Sequence, residues 1–337
     1  MKLNIPEPVS GGLMLGYRCN AACGHCMYAC GPDWEEGWIT PDDLEAVLSA
    51  LAGRILPAPG GARSVSLNHG LHITGGEPFL NFQLLCGAVE AAAGKGIPSL
   101  FVETNGFWCA DDARAREKLA LLKELGLRGV LISVNPFYLE YVPFERTERA
   151  VRLSRELFGD NTMVYQMEYY RLFRELGVRG RVPFREYLSR IQDREGFLRQ
   201  VEFFPMGRAP YFLEQTGMPY PLAPPDLLLD LPCAPPFLRR WHNHFDHLGN
   251  YIPGYCGGIS LGDCRDLDRL LREGVDARRR PVLGFLGRGD LRGLLDFARE
   301  RGYRGRDMYY GKCHLCVDIR RHLSGRGDFE ELTPLAS

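Results

Sequence analysis

Cys19-Asn20-Ala21-Ala22-Cys23-Gly24-His25-Cys26 sets three thiols within eight residues, directly after Gly12-Leu13-Met14-Leu15-Gly16-Tyr17, a run with the composition of a β-strand. A loop leaving a strand of a parallel sheet lies at the sheet's C-terminal edge, where such folds bind ligands. With 11 cysteines in 337 residues, chance supplies this spacing about 0.01 times per chain. Three thiols so placed point to a metal centre.

Outward from that loop the chain alternates strand-like and helix-like segments. Strands are expected over 12–17, 71–74, 99–104, 130–135, 163–166 and 201–204. Helices are expected over 41–52, where Thr40 supplies an N-cap, Pro41 a first-turn proline and Asp42 and Asp43 dipole-matched acids. Others follow over 79–93, over 110–125 before Gly126, near 143–158, and in pieces up to 199. This alternation implies an α/β fold, a parallel sheet closed into a partial barrel. The proline-rich stretch 219–236 supports neither helix nor central strand and marks a boundary, giving a core at 10–215 and a smaller unit at 216–330. In the latter, 241–255 is expected to form a hairpin turning at Gly249-Asn250, followed by short helices.

Composition narrows the class. A hydrophobic fraction of 45% and a charged fraction of 25% are ordinary for a globular chain. No apolar run approaches the roughly 20 residues a membrane helix needs, and residues 1–8 lack a secretory signal, so a cytoplasmic location without membrane partners is expected. Net charge is -1, with 41 basic against 42 acidic residues, and gives no pull toward nucleic acid. In a reducing compartment 11 cysteines imply metal binding or catalysis rather than disulfides.

Three further strand ends carry polar or glycine-rich motifs. Ile73-Thr74-Gly75-Gly76-Glu77-Pro78 allows close backbone approach to a ligand, and its carbonyls can accept from an ammonium group; by itself it would also serve as a turn into a helix. Glu103-Thr104-Asn105-Gly106 and Ser133-Val134-Asn135 end the next two strands, where structural capping is the alternative use. Pro205-Met206-Gly207-Arg208-Ala209 follows the sixth expected strand. Cys30 leaves open a four-cysteine zinc or electron-transfer site with Cys19, Cys23 and Cys26.

The triad followed in order by Gly75-Gly76-Glu77-Pro78 resembles the radical S-adenosylmethionine superfamily, over about residues 10–210. The resemblance implies a partial (β/α)6 barrel and a [4Fe-4S] cluster on Cys19, Cys23 and Cys26. Its open iron would be chelated by S-adenosylmethionine, which is cleaved to methionine and a 5'-deoxyadenosyl radical that abstracts hydrogen from a substrate. It further implies that Gly75, Gly76, Glu77 and Pro78 clamp the methionine amino group. Thr104, Asn105, Ser133 and Asn135 would meet the ribose and carboxylate, although Asn135 stands where many relatives carry Asp. Arg208 would meet the carboxylate or adenine, and a flavodoxin or ferredoxin would supply low-potential electrons.

Cys233, Cys256, Cys313 and Cys316 supply four more thiols, enough for an auxiliary [4Fe-4S] cluster. Their layout resembles the twitch domain, a shortened SPASM domain; a four-cysteine zinc site is the alternative. Cys264 is expected to be a buried thiol. His242 and His244 share one strand face and His247 the other, so a three-histidine site from these residues is awkward, and surface or outer positions are expected. His314, between Cys313 and Cys316, is placed to tune the auxiliary centre. The resemblance favours a peptide or protein side chain as substrate, with a small molecule as the alternative and a non-catalytic electron carrier as a third reading. No general base can be assigned from Glu168, Glu214 or Asp226.

Overall fold

Gly11 and Gly12 open the first strand of the main sheet because its neighbours approach too closely for side chains. A Cβ on Gly11 would sit 2.2 Å from the Asn243 carbonyl oxygen, and one on Gly12 would sit 2.3 Å from His72 Nε2. The computed structural model describes residues 2–35, 37–201, 203–231 and 233–333. The strands of the main sheet are β1 (Ser10–Met14), β2 (Gly70–Thr74), β3 (Phe101–Thr104), β4 (Gly129–Ser133), β5 (Thr162–Tyr165), β6 (Asn243–Asp246) and β7 (Tyr251–Ile252). Their spatial order is β5-β4-β3-β2-β1-β6-β7. The first six run parallel and β7 is antiparallel to β6. The fold is therefore the expected partial barrel of α/β class.

The crossovers are helices with local reasons to start and stop. Thr40 Oγ1 accepts from the Asp43 N–H at 3.1 Å, opening Pro41–Leu51. Asn81 caps Phe82–Gly94, which follows a 3₁₀ turn at Pro78–Asn81, and Asp111 caps Asp112–Glu124. That helix closes where Gly126, at φ +111°, lets the Leu127 N–H return to the Leu122 carbonyl. Phe144–Phe158 covers β4 and β5, with Phe144, Ala150, Val151 and Leu153 buried.

One expectation fails here. Residues 201, 203 and 204 form no strand, and 202 lies outside the described residues. Val201 and Phe203 are buried instead in an aromatic cluster, where Phe203 lies 6.0 Å from Phe137 and 5.7 Å from Tyr220. The sixth parallel strand is β6, which pairs with β1 from the far side of the sheet, Gly11 against Asn243 and Met14 against Asp246. The hairpin expected over 241–255 exists, with Gly249 at φ +85° in its turn, but its first strand completes the main sheet. The N-terminal strand Lys2–Leu3 pairs antiparallel with Val275–Asp276, tying the chain's start to its last third.

Candidate active site

After β1 the cysteine loop closes on itself: the Cys19 N–H donates to Gly31 O at 3.0 Å and the Gly31 N–H to Tyr17 O at 3.3 Å. His25 anchors it from inside, its ring stacked on Phe137 with centroids 4.5 Å apart. Arg208 anchors it from the side. Its guanidinium donates to the carbonyls of Cys23, Ala29 and Cys30, each at 2.8 Å. Gly207, at φ +57°, makes that approach possible, since a Cβ there would stand 2.3 Å from Met27 O. Arg208, expected at the cofactor, thus directs these hydrogen bonds to the backbone that presents the thiols.

Cys19, Cys23, Cys26 and Cys30 line one cavity of about 170 Å³ together with Gly75 and Gly76. Strand-end residues Thr74, Glu103, Thr104, Asn105 and Ser133 also reach it, and tyrosines 28, 138, 165 and 255 give it aromatic walls. The glycines are fixed against β1: the Gly76 N–H donates to Gly16 O at 2.9 Å, and a Cβ on Gly76 would lie 2.1 Å from Arg18 O. Asn105 Nδ2 bonds to Asn20 Oδ1 at 2.9 Å and reaches Cys19 Sγ at 3.9 Å, while the Ala21 N–H points at the same sulfur from 3.4 Å.

Other expected contacts face the protein rather than the cavity. Glu77 is buried, and its carboxylate accepts from Thr104 Oγ1 at 2.8 Å, Asn105 N–H at 2.8 Å and Phe79 N–H at 3.2 Å. Burial raises its carboxyl to about 7, with these hydrogen bonds opposing. Glu77 staples the Gly75-Gly76 turn to the end of β3, and buried Pro78 starts the 3₁₀ turn behind it. Asn135 Oδ1 caps the short helix Pro136–Leu139 through the Phe137 and Tyr138 N–H groups, and its Nδ2 lies 3.2 Å from His25 Nε2. Among the thiols, Cys26 is lowered to about 6, chiefly by Cys30 and then by Arg208 against the opposing effect of burial, whereas burial raises Cys19 and Cys23.

The donor set fits an iron-sulfur cluster: three thiols of one short loop open onto a cavity, N–H groups point at a ligand sulfur, and Gly75 and Gly76, which also line the cavity, have no room for a Cβ against the backbone of residues 15–18. The far cysteines also converge. Cys233 precedes Ala234–Phe237, Cys256 lies in the turn closed by its N–H to Pro253 O, and Cys313 and Cys316 sit one turn apart at the start of Lys312–Ser324. All four line a second, small cavity with Met206 and Arg320, and Arg320 donates to Gly257 O at 2.8 Å. Cys264 is fully buried and lines neither cavity. His314 Nδ1 accepts from the Tyr310 N–H at 3.2 Å, and its ring stacks on Tyr310.

Of the two placements expected for the histidines, the surface one does not occur. His242, His244 and His247 are all buried, not surface groups. His242 and His244 line the main cavity, while His247 packs edge-on against Tyr17. His72, which no motif marked, faces the first two from β2. Only the pairing of β6 with β1 brings these rings together, and that pairing spans about 230 residues of sequence.

Residues 13–176 match the family model for the Radical SAM superfamily. GTP 3',8-cyclase of Mycobacterium ulcerans (strain Agy99) is 33% identical over 144 residues, 42% of this chain and 35% of that protein. The same enzyme of Mycolicibacterium smegmatis (strain ATCC 700084 / mc(2)155) is 31% identical over 144 residues, with the same shares. The chain thus spans about a third of the length of the curated relatives it matches. Among solved structures, BtrN in complex with AdoMet and 2-DOIA aligns at TM-score 0.43 and 13% identity, covering 81% of this chain and 89% of that one. Native anSMEcpe with bound AdoMet aligns at TM-score 0.46 and 14% identity, covering 95% and 98%.

Proposed function

The chain belongs to the radical SAM superfamily through residues 13–176, and from that premise we propose that it is an enzyme that reductively cleaves S-adenosylmethionine and abstracts hydrogen from a substrate held in the main cavity. The observation that carries this is the convergence of Cys19, Cys23 and Cys26 with the Gly75-Gly76 cradle on that one cavity. When bound there, the cluster supplies the electron that splits a carbon-sulfur bond of S-adenosylmethionine. The chain's own residues do the rest. Arg208 holds the thiol-bearing loop, and the Ala21 and Asn105 N–H groups withdraw charge from Cys19 Sγ, which favours the reduced state. Glu77 fixes the glycine turn against β3 through Thr104 Oγ1 and the Asn105 N–H, leaving the Asn105 and Ser133 side chains to meet the cofactor. Glu77, Pro78, Asn135 and Arg208 position that surface.

Residues 216–330 are proposed as the auxiliary unit, attached to a core at 10–215 and holding a second [4Fe-4S] cluster on Cys233, Cys256, Cys313 and Cys316. A tetrahedral zinc with Zn–S of about 2.3 Å takes the same four thiolates, and metal analysis separates it from a cluster.

For the substrate, a small molecule is the better-supported reading. The matched relatives are named for a reaction of GTP. Among the described residues, however, the cavity is lined by no Lys or Arg, which a triphosphate would call for. An uncharged or weakly charged molecule with hydroxyl or aromatic groups suits the tyrosine walls. The test is to reconstitute the protein anaerobically, add S-adenosylmethionine with a low-potential flavodoxin or ferredoxin, and measure 5'-deoxyadenosine. Formation that is lost in Cys26→Ala and retained in Cys30→Ala supports the proposal. No product from cluster-replete protein would sink it, and stimulation of turnover by peptides rather than small molecules would restore the peptide reading.

A further inference from the structure

Three buried imidazoles meet at the wall of the main cavity. One ring nitrogen from each of His72, His242 and His244 lies within 4.8 Å of one from each of the others, and the ring centroids are 5.3, 5.4 and 5.3 Å apart. Sheet register explains the convergence. Gly12 of β1 is paired on one side with His72 of β2 and on the other with His244 of β6, and residues in register on adjacent strands project to the same face. Because Gly12 has no side chain, the two rings lean together across it: a Cβ there would stand 2.3 Å from His72 Nε2 and 2.8 Å from His244 Cδ2. His242, two residues before His244, joins them on that face.

The rings are also oriented. His242 Nδ1 lies 2.9 Å from Leu67 O, and His244 Nδ1 lies 2.9 Å from Gly254 O. A carbonyl only accepts, so in both rings Nδ1 carries the proton and Nε2 keeps its lone pair. Tyr28 Oη braces the second ring, 2.8 Å from His244 Nδ1, and donates to Gly254 O at 3.2 Å. An imidazole whose far nitrogen is tied to a backbone carbonyl has the tautomer and orientation of a metal ligand. A carboxylate stands by, with Glu103 Oε2 4.0 Å from His72 Nε2.

We propose that His72, His242 and His244 form a mononuclear site for a divalent transition-metal ion, zinc in particular, with its fourth coordination position open to the cavity that Cys19, Cys23 and Cys26 also line. Zinc with Zn–N of about 2.0–2.1 Å places its ligand nitrogens about 3.3 Å apart. The ring nitrogens, already within 4.8 Å of one another, need to close by at most about 1.5 Å. Three neutral imidazoles and one vacancy are the ligand pattern of zinc sites that bind water or a substrate oxygen. Here that vacancy would hold a hydroxyl, carbonyl or carboxylate oxygen of the small molecule in the cavity. The metal site stands independently of the radical chemistry, since none of these imidazoles is used there.

The experiment adds Zn²⁺ to the anaerobically reconstituted protein, removes free metal by gel filtration, and measures zinc, iron and sulfide per chain together with the zinc K-edge absorption fine structure. The expected result is about one zinc per chain in a nitrogen and oxygen shell at about 2.0–2.1 Å with imidazole scattering. His242→Asn, whose amide can still donate to Leu67 O, and His72→Asn should each lose most of that zinc with iron and sulfide unchanged. Overturning results are no retained zinc in the wild-type protein, a shell of sulfur alone, or unchanged zinc retention in either folded variant. The wild-type spectrum decides the matter even if a variant fails to fold.

Discussion

Arg208→Ala separates the role the structure gives this residue from the cofactor contact its motif suggests. The guanidinium makes three 2.8 Å hydrogen bonds to Cys23 O, Ala29 O and Cys30 O. A buried hydrogen bond to a charged group is worth about 1.5–3 kcal/mol net. Arg208 is only half-buried, so about 1 kcal/mol each is the appropriate scale, or about 3 kcal/mol for the three. At 1.4 kcal/mol per factor of ten, local opening of the cysteine loop becomes about 100-fold more frequent in Arg208→Ala. Lysine, a point charge able to satisfy one carbonyl at a time, should recover about one third of that energy. The assay is the rate of iron release from reconstituted protein to an anaerobic chelator. Release through the opened loop should rise about 100-fold in Arg208→Ala and about 30-fold in Arg208→Lys. Unchanged release together with weakened S-adenosylmethionine binding would refute the positioning role.

Glu77, raised to about 7 from an ordinary 4.5 by burial, binds its proton more tightly folded than unfolded. Its contribution is therefore complete below pH 4.5 and is lost as pH rises through 7, a fall of about 3 kcal/mol. In Glu77→Gln that part of the slope should vanish from melting curves recorded between pH 5 and 8, and an unaltered slope would show that another group produces it. Gly76→Ala forces a Cβ to 2.1 Å from Arg18 O, an overpacking cost of about 1–3 kcal/mol; equilibrium dialysis should show S-adenosylmethionine binding at least about fivefold weaker. Cys316→Ala should lower iron by about four per chain while 5'-deoxyadenosine formation continues, whereas loss of zinc with constant iron would identify the second centre as a zinc site.

Much of the fold is written locally. Thr40 and Asp111 place helix starts because a cap needs only the next three residues, and the polar groups after β2, β3 and β4 mark strand ends for the same reason. The cysteine spacings likewise mark two groups of thiols, and each group lines one cavity. What local pattern could not show is which strand lies beside β1. Residues 201–204 have strand composition, yet Phe203 packs against Phe137 and Tyr220, and Phe204 stacks on Tyr255. The sixth strand is instead Asn243-His244-Phe245-Asp246, whose polar residues look too hydrophilic for a fully buried strand. They are buried because each has a hydrogen-bond partner: Asp246 accepts from the distant Tyr17 Oη at 2.7 Å, and Asn243 Nδ2 donates at 3.1 Å to Tyr251 Oη of the adjoining strand. The facing of His72 and His244 depends on the same pairing, as do the cavity roles of His242 and Tyr255. The motifs single out Glu77 and Arg208 as cofactor contacts, but whether a motif residue touches the ligand or the loop that holds it is decided by side-chain direction, which spacing does not carry.

The central claim is that the Cys19, Cys23 and Cys26 centre has an open iron facing the cavity while the four-cysteine centre is closed. Mössbauer spectroscopy of protein reconstituted with ⁵⁷Fe tests it most directly. On addition of S-adenosylmethionine, about one iron in eight should change its isomer shift. That response should be absent in Cys26→Ala and preserved in Cys30→Ala and Cys233→Ala. A spectrum indifferent to S-adenosylmethionine, or a response that depends on Cys30 rather than Cys26, would contradict the account.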